Sequence, residues 1–305
     1  RGIFLINVPV GILLVAATVL FVPNSRSEHP VGLDLAGVAL GALAVFLVVF
    51  PLTDGRAAGW AWWIWMMLVA APFAIGLFIR QQRRKLSADG TALLPLPLFQ
   101  NRGFSSGLLV QVVSSVGNGG YSLVLLFYMQ AALGFTAFSA GLALLPIGIG
   151  SMIGTPVAML LMKRLGRRAV LLGGALQAAA FGWVMFVINS EGSDLSGWSL
   201  TPALTVAGIG MMVLIMPQTS IALDTVPTAE AGAASGTFTT FGQVGMVLGV
   251  ALAGAVYFGE ISDTDHAQAA ATAGLWVIIA AYALAGISAL TMPSVQIGSK
   301  EDGET

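Results

Sequence analysis

Nine long apolar segments, separated by gaps that hold nearly all the charged residues, constrain what this chain of 305 residues can fold into. Each segment reaches the roughly 20 residues that a helix needs to cross the hydrocarbon core of a bilayer. We therefore predict an all-α polytopic membrane protein with nine transmembrane helices. The segments cover roughly residues 3–22, 34–53, 60–79, 104–129, 139–162, 168–189, 200–223, 233–259 and 269–292.

The Lys and Arg residues fall mainly in alternate gaps, and this asymmetry predicts the orientation of the chain. Eleven of the 13 basic residues lie in the first, third and fifth gaps and in the C-terminal tail. By the positive-inside rule, these regions are cytoplasmic and the N-terminal end lies outside. We predict a multi-pass protein of the plasma membrane with a cytoplasmic C-terminus. The eleven residues are Arg26, Arg80, Arg83, Arg84, Lys85, Arg102, Lys163, Arg164, Arg167, Arg168 and Lys300.

Composition argues against other classes of protein. Only 9% of the residues are charged and 57% are hydrophobic, whereas a soluble domain has about 25% charged residues. The formal net charge of −1 suggests no nucleic-acid partner, and there is no cysteine for a thiolate metal site. Both histidines, His29 and His266, lie in gaps. We predict no metal site, no cofactor and no enzymatic activity, because no segment carries paired carboxylates or a Ser–His pair at membrane depth.

The gap at residues 80–103 differs from the others because it is long, basic and rich in proline. It contains the stretch Leu94-Pro95-Leu96-Pro97, and proline disfavours continuation of a helix. We predict a boundary here that separates three helices from a block of six. At the outer end of the third segment, Trp60, Trp62, Trp63 and Trp65 are typical of an interfacial anchor.

Several stretches resemble the major facilitator superfamily, and specifically its fourteen-helix drug:proton antiporters of the EmrB/QacA type. The motifs occur in the family's order over nearly the whole chain. Ile3–Gly11 is similar to the opening of the sixth helix, and Leu98–Phe104 to the entry of the ninth. Tyr128-Met129-Gln130 followed by Ala140–Pro146 is similar to the turn between the ninth and tenth helices. The thirteenth helix is represented by Gly232–Gly236, Gln243-Val244-Gly245 and Leu248–Ala251.

This resemblance implies a partial major facilitator fold that begins at the sixth helix and includes a complete C-terminal six-helix bundle. Residues 1–23 would be the last helix of the N-terminal bundle, and 24–80 two linking helices. Residues 81–103 would be a cytoplasmic loop, 104–293 the six-helix bundle and 294–305 a cytoplasmic tail. We therefore expect a secondary active transporter in the lipid bilayer that exports amphipathic or drug-like small molecules in exchange for protons, by alternating access. An importer of the same fold and a non-transporting scaffold subunit remain alternatives.

Two motifs depart from the family pattern. The cytoplasmic loop motif has Lys163 where the N-terminal copy has Asp, so a charge-relay role is not expected of its residues Lys163, Arg164, Gly166, Arg167 and Arg168. The thirteenth-helix motif has Thr239, Thr240 and Gly242 where the family tends to have Asn, Thr and Arg. Its remaining residues are Ser235, Gly236, Gln243, Gly245 and Gly249.

Polar residues in the fourth segment are the first candidates for a substrate cavity. Gln111, Ser115, Asn118 and Ser122 are spaced by four, three and four residues, which places them on one helical face. In lipid such groups need partners, so they either line a wet cavity or form interhelical hydrogen bonds worth about 0.6 kcal/mol each. The stripe as a whole favours the cavity.

The seventh segment offers a second set of candidates, namely Met211, Met212, Met216 and Gln218 around Pro217. Methionine is flexible and polarizable, so these residues could form a soft wall for lipophilic substrates or pack in the core. No Asp, Glu or His lies in the interior of any segment, although proton relays in membranes are usually built on them. Either the coupling acid lies in the missing N-terminal helices, or transport is not proton-driven. The resemblance implies the first, because the acidic residues of the antiporters lie mainly in the N-terminal bundle.

Overall fold

The computed structural model describes residues 7–21, 34–55, 58–88, 96–227, 230–260 and 267–293. These ranges contain nine α-helices and no β-strand. The helices are α1 (Asn7–Phe21), α2 (Leu35–Asp54), α3 (Trp62–Ala88), α4 (Arg102–Phe127), α5 (Ala137–Leu165), α6 (Arg167–Glu191), α7 (Thr201–Asp224), α8 (Ala231–Glu260) and α9 (Ala267–Ser288).

Eight of these helices, α2 to α9, are long and apolar enough to cross a membrane. The predicted all-helical architecture with many spans is therefore confirmed for the described residues. The predicted count of nine spans is not reached there, because α1 has only 15 residues in the described part of the chain. Residues 3–6 and 22 of the first predicted segment lie outside the described residues.

The third helix extends further than the sequence analysis predicted. Residues 81–88, assigned to the loop at 81–103, continue α3 as far as Ala88. The reason is that Arg, Gln and Lys favour helix, and neither glycine nor proline interrupts residues 80–88. Charge ends the apolar part of a span without ending the helix itself. The remaining loop is partly helical as well, since Leu96–Gln100 forms a short 3-10 helix.

By contacts, the chain divides into two units, Arg1–Asp34 and Leu35–Thr305. Helices α2 and α3 therefore belong to the same unit as α4 to α9. The physical reason is packing: α2 lies against α3, where Gly41 faces the ring of Phe78, and also against α8.

Helix α4 is central to the second unit, because it packs against α7, α8 and α9. Helix α7 packs in turn against α5 and α6, and α6 also packs against α9. The shared core is apolar and includes fully buried side chains from five of these helices, such as Val124, Phe181, Leu204, Tyr257 and Ile278. A polar group on α4 therefore faces neighbouring helices over much of its circumference.

Glycines bring the backbones of α4 and α8 into direct contact. A Cβ atom at Gly119 would lie 1.9 Å from the backbone oxygen of Met246, and one at Gly249 would lie 2.0 Å from the oxygen of Val116. Such close approach through small residues is how membrane helices gain van der Waals contact when lipid supplies no hydrophobic drive between them. No larger residue fits at Gly119 or Gly249 without a shift of a whole helix.

Polar side chains connect helix ends at the side of the bundle where α4 and α6 begin. Asn101 accepts hydrogen bonds from the backbone N–H groups of Gly103 and Phe104 and so caps the start of α4. Its Nδ2 also donates to the backbone oxygen of Thr225, just after α7, at 2.8 Å. Arg167, at the start of α6, donates from Nη1 to the backbone oxygens of Met292 at 2.9 Å and Leu290 at 3.3 Å.

At the opposite end, α4 finishes in a single π-helical turn, Tyr128–Ala132. This turn directs Tyr128 and Met129 into the core, where both are buried. The hydroxyl of Tyr128 donates to the backbone oxygen of Gly192 at 3.3 Å, immediately after α6. The family-like stretch from Tyr128 to Gln130 therefore ends α4 and connects it to α6.

The α4–α8 contact predicts the outcome of a glycine substitution. We expect Gly249→Ala to destabilise the protein by at least about 2 kcal/mol, because the methyl group would overlap a backbone oxygen. Thermal unfolding in detergent measures the change. Gly259→Ala is the matched control, because Gly259 lies on the same helix with open space where its Cβ would be. Equal melting temperatures for the two variants would contradict the prediction.

The Arg167 contacts predict a smaller effect at the end of α9. We expect Arg167→Ala to lower the free energy of unfolding by about 1 kcal/mol, because two backbone carbonyl groups lose their charged hydrogen-bond donor. The adjacent Arg168→Ala is the control, because Arg168 is exposed to solvent. Hydrogen exchange of the 3-10 turn Ala289–Thr291, which follows α9, should increase in the first variant and stay unchanged in the second.

Candidate functional site

The predicted polar stripe of α4 follows one helix, but its members have different neighbours. Gln111 contacts α7, and Asn118 accepts a hydrogen bond from α9. Ser115 is buried at 7% exposure close to Gly245 of α8. Ser122 donates to the backbone oxygen of Asn118 at 3.0 Å within α4 itself. For Gln111 and Asn118, the interhelical hydrogen bonds considered as an alternative to cavity lining are thus present.

Gln111 and Gln218 form a polar pair between α4 and α7. Nε2 of Gln218 donates to Oε1 of Gln111 at 2.5 Å. Gln218 is fully buried at 0% exposure, whereas Gln111 is only half-buried. Oε1 of Gln218 has no hydrogen-bond partner in the described part of the chain. Gln218 is therefore buried where α7 meets α4, and its role as a polar contact for a substrate stays a prediction.

The position of the pair follows from the register of α4 and α7. Gly103 lies against the side chain of Thr225, and one turn further along α4, Gly107 lies against Ala222. One more turn brings Gln111 level with Gln218. Because the two glycines hold the helices close, the amides meet directly.

Asn118 belongs to a buried aromatic cluster. The hydroxyl of Tyr282 on α9 donates to Oδ1 of Asn118 at 3.1 Å. The ring of Tyr282 stacks on Phe181 of α6 with centroids 5.6 Å apart, and Phe181 stacks on Tyr121 at 5.3 Å. Sequence analysis missed Tyr282, although a lone tyrosine in the middle of an apolar segment already calls for a hydrogen-bond partner.

The methionines of α7 do not share one environment either. Met212 lies next to Gly154 of α5, which favours core packing for this side chain. Met211 and Met216 are half-buried. Pro217 is buried inside a continuous α7, one residue before Gln218.

The first half of α8 lines an open cavity of about 620 Å³ opposite α2, which we call the α8 groove. Four of its residues, Ser235, Gly236, Gln243 and Val244, belong to the stretches that resemble the family's thirteenth helix, whereas Thr239 and Thr240 were noted only in the comparison with the family pattern. The only signal for these two was their spacing, since they lie four residues after Ser235 and Gly236. The lining consists of Val45, Val49, Ser235, Gly236, Thr239, Thr240, Gln243, Val244 and Val247.

The hydroxyl groups of the α8 groove present acceptors. Ser235, Thr239 and Thr240 are exposed, and each donates its proton to the backbone oxygen four residues earlier, the last two at 2.9 Å. Their oxygen lone pairs therefore remain available. Gln243 adds an exposed amide, and no lining residue is charged.

The α8 groove is mainly apolar, but its hydroxyl and amide groups distinguish it from the exposed faces of α5, α6 and α9. Those faces carry large apolar side chains, including Met152, Phe186 and Trp276, as expected for contact with lipid tails. Exposed hydroxyl and amide groups at membrane depth instead favour a water-filled path or another part of the protein. The α8 groove is therefore the candidate site, and Gln111 lies against Gly242 of the same helix.

The remaining predicted site residues lie outside the α8 groove. Gly245 and Gly249 pack against the backbone of α4. In the loop motif, Gly166 has a positive φ of 52° between α5 and α6, and Lys163, Arg164 and Arg168 are exposed. No group of three or more His, Cys, Asp or Glu side chains that could hold a metal ion occurs within the described ranges.

Comparison with known proteins agrees with this architecture. The probable actinorhodin transporter of Streptomyces coelicolor is 32% identical over 271 residues, which is 88% of this chain and 46% of that protein. The tetracenomycin C resistance and export protein of Streptomyces glaucescens is 28% identical, over 87% and 48%. The methyl viologen resistance protein SmvA of Salmonella typhimurium is 26% identical, over 83% and 50%.

The chain thus spans about half the length of these relatives. A family profile, that of the Major Facilitator Superfamily, matches residues 1–250, which is most of the chain. The chain therefore belongs to the major facilitator superfamily.

Proposed function

We propose that this chain forms part of a transporter that exports amphipathic, drug-like small molecules, and that the α8 groove lines their path. The observation that carries this proposal is the α8 groove itself, a mainly apolar and uncharged cavity whose lining includes three hydroxyl groups and one amide. The relatives named for antibiotic export and methyl viologen resistance support the direction of transport and the kind of substrate.

The chemistry of the groove suits amphipathic molecules. Its volume of about 620 Å³ lies within the roughly 300–1,000 Å³ of small-molecule sites. Four valines offer apolar contact, while three hydroxyl oxygens and one amide offer hydrogen bonds. Because no fixed charge lines the groove, substrates would be selected by shape and hydrogen bonding more than by charge.

We further propose that export proceeds by alternating access and uses the proton gradient. No Asp, Glu or His lies in the interior of α4 to α9, so this bundle supplies binding surface and no titrating group at membrane depth. The coupling acid would then belong to another part of the transporter. This division of labour agrees with the half-length match to the relatives.

A substitution in the groove tests the proposed path. In the protein expressed from its complete reading frame, we expect Thr240→Val to reduce ethidium efflux about fivefold, because it removes one acceptor worth about 1 kcal/mol at nearly constant volume. Efflux is followed by fluorescence in cells lacking other exporters. Thr155→Val on α5 is the control, since it loses the same kind of local hydrogen bond away from the groove. Equal losses in both variants would contradict the proposed path.

Coupling is tested separately in everted membrane vesicles. Accumulation of ethidium should start when the vesicle interior is acidified and should stop when a protonophore collapses the gradient. Accumulation that persists after collapse would rule out proton coupling. Energy-dependent uptake of ethidium into intact cells would indicate an importer instead.

A further inference from the structure

We propose that Gly242 is a specificity-determining position, because its missing side chain leaves the space in which the Gln111 amide lies while it binds Gln218. This proposal rests on the proposed function, since it concerns recognition beside the α8 groove. It adds a residue that lies outside the groove lining and carries no functional group of its own.

The space next to Gly242 is filled by one side chain. A Cβ atom at Gly242 would lie 2.5 Å from Nε2 of Gln111 and 3.5 and 3.6 Å from its Cδ and Cγ. A separation of 2.5 Å from a carbon atom is far inside van der Waals contact, so the present position of the amide requires glycine at 242. Any larger residue would compete with Gln111 for this volume.

The other glycines on the same face of α8 differ in what they oppose. A Cβ atom at Gly245 would lie 2.5 Å from the backbone oxygen of Val112, and one at Gly249 would lie 2.0 Å from that of Val116. Those contacts fix the distance between two helices. Gly242 instead faces the end of a flexible side chain, which can move while the helices stay in place. A small residue at 242 would therefore change the amide and leave the fold intact.

Movement of Gln111 would change the polar groups available at this level of the bundle. Gln111 at present accepts from Nε2 of Gln218 at 2.5 Å, and Gln218 is fully buried with no partner for its Oε1 in the part of the chain that is described. If Gln111 turned away, Nε2 of Gln218 would lose this bond, and the buried Gln218 amide would lack protein partners at both ends within the described residues. The exposed part of the half-buried Gln111 amide would then point in a different direction.

The consequence depends on the substrate. A molecule with N–H or O–H groups can bond to a fixed amide and would lose this interaction when the amide turns. A molecule without such groups has nothing to lose except shape. Position 242 would therefore control discrimination between hydrogen-bonding substrates and those that only fill space.

Two lipophilic aromatic cations make a matched pair of probes. Ethidium carries two amino groups, whereas tetraphenylphosphonium has no N–H or O–H donor. In the protein expressed from its complete reading frame, we expect Gly242→Ala to lower ethidium efflux about fivefold, as for loss of one hydrogen bond. Tetraphenylphosphonium efflux should stay within about twofold. Gly259→Ala, on the same helix with open space at its Cβ, should change neither probe.

Two transport results would overturn the proposal. Equal loss of both probes at unchanged protein level would mean that position 242 affects transport in general. Unchanged efflux of both probes would mean that the amide does not contribute to recognition. If the wild-type protein exports neither probe, the proposed function itself is contradicted. The contact between residue 242 and Gln111 is then tested by melting temperatures alone.

A stability comparison tests the packing without any substrate. In purified protein, Gly242→Ala should lower the melting temperature by about 2 °C, because the methyl group displaces Gln111. In the Gln111→Ala background the space is empty, so the same change should have no cost or raise the melting temperature through better helix propensity. Equal costs in the two backgrounds would show that Gln111 and residue 242 do not share this volume, whatever the transport assays give.

Discussion

The structure depends on direct backbone contact between α4 and its neighbours. Within a bilayer, lipid tails are as apolar as the side chains, so burial of apolar surface adds little to the association of helices. Contact at van der Waals distance must therefore hold the bundle together. Gly119 and Gly249 permit this contact between α4 and α8, and α7 and α9 pack on the remaining sides of α4. The positions of the polar side chains follow from this arrangement.

Because α4 is enclosed, most of its polar groups are used within the protein. Gln111 bonds to Gln218, and Asn118 bonds to Tyr282. Such bonds fix the register of the helices. Each adds little to the free energy of unfolding, because the same polar groups also find hydrogen-bond partners when the helices are separated in the membrane. The first half of α8 is different, because its hydroxyl oxygens remain open toward a cavity. A surface of this kind is suited to the reversible binding of a small molecule.

Hydropathy and periodicity predicted the spans well but could not predict which helices meet. The segment predicted at 139–162 corresponds to Ala137–Leu165, and that at 200–223 to Thr201–Asp224. The helix that contains the segment predicted at 60–79 continues to Ala88, because charged residues end the apolar span without ending the helix. The polar face of α4 was visible as a spacing of residues. Its distribution over α7, α8 and α9, and the burial of Gln218 where α7 meets α4, depend on contacts between distant segments, which spacing within one helix does not contain.

Glycine at 242 shows how one residue type can act in two ways on the same helix. Opposite Gly249 lies a backbone oxygen, so that glycine determines how closely two helices approach; opposite Gly242 lies the Gln111 amide, so this glycine determines where an amide points. The antiporters that this chain resembles tend to have an Arg at the position of Gly242. A guanidinium side chain there and the Gln111 amide could not occupy the same volume. The contact between Gln111 and Gln218 in this chain therefore depends on the absence of a side chain at position 242.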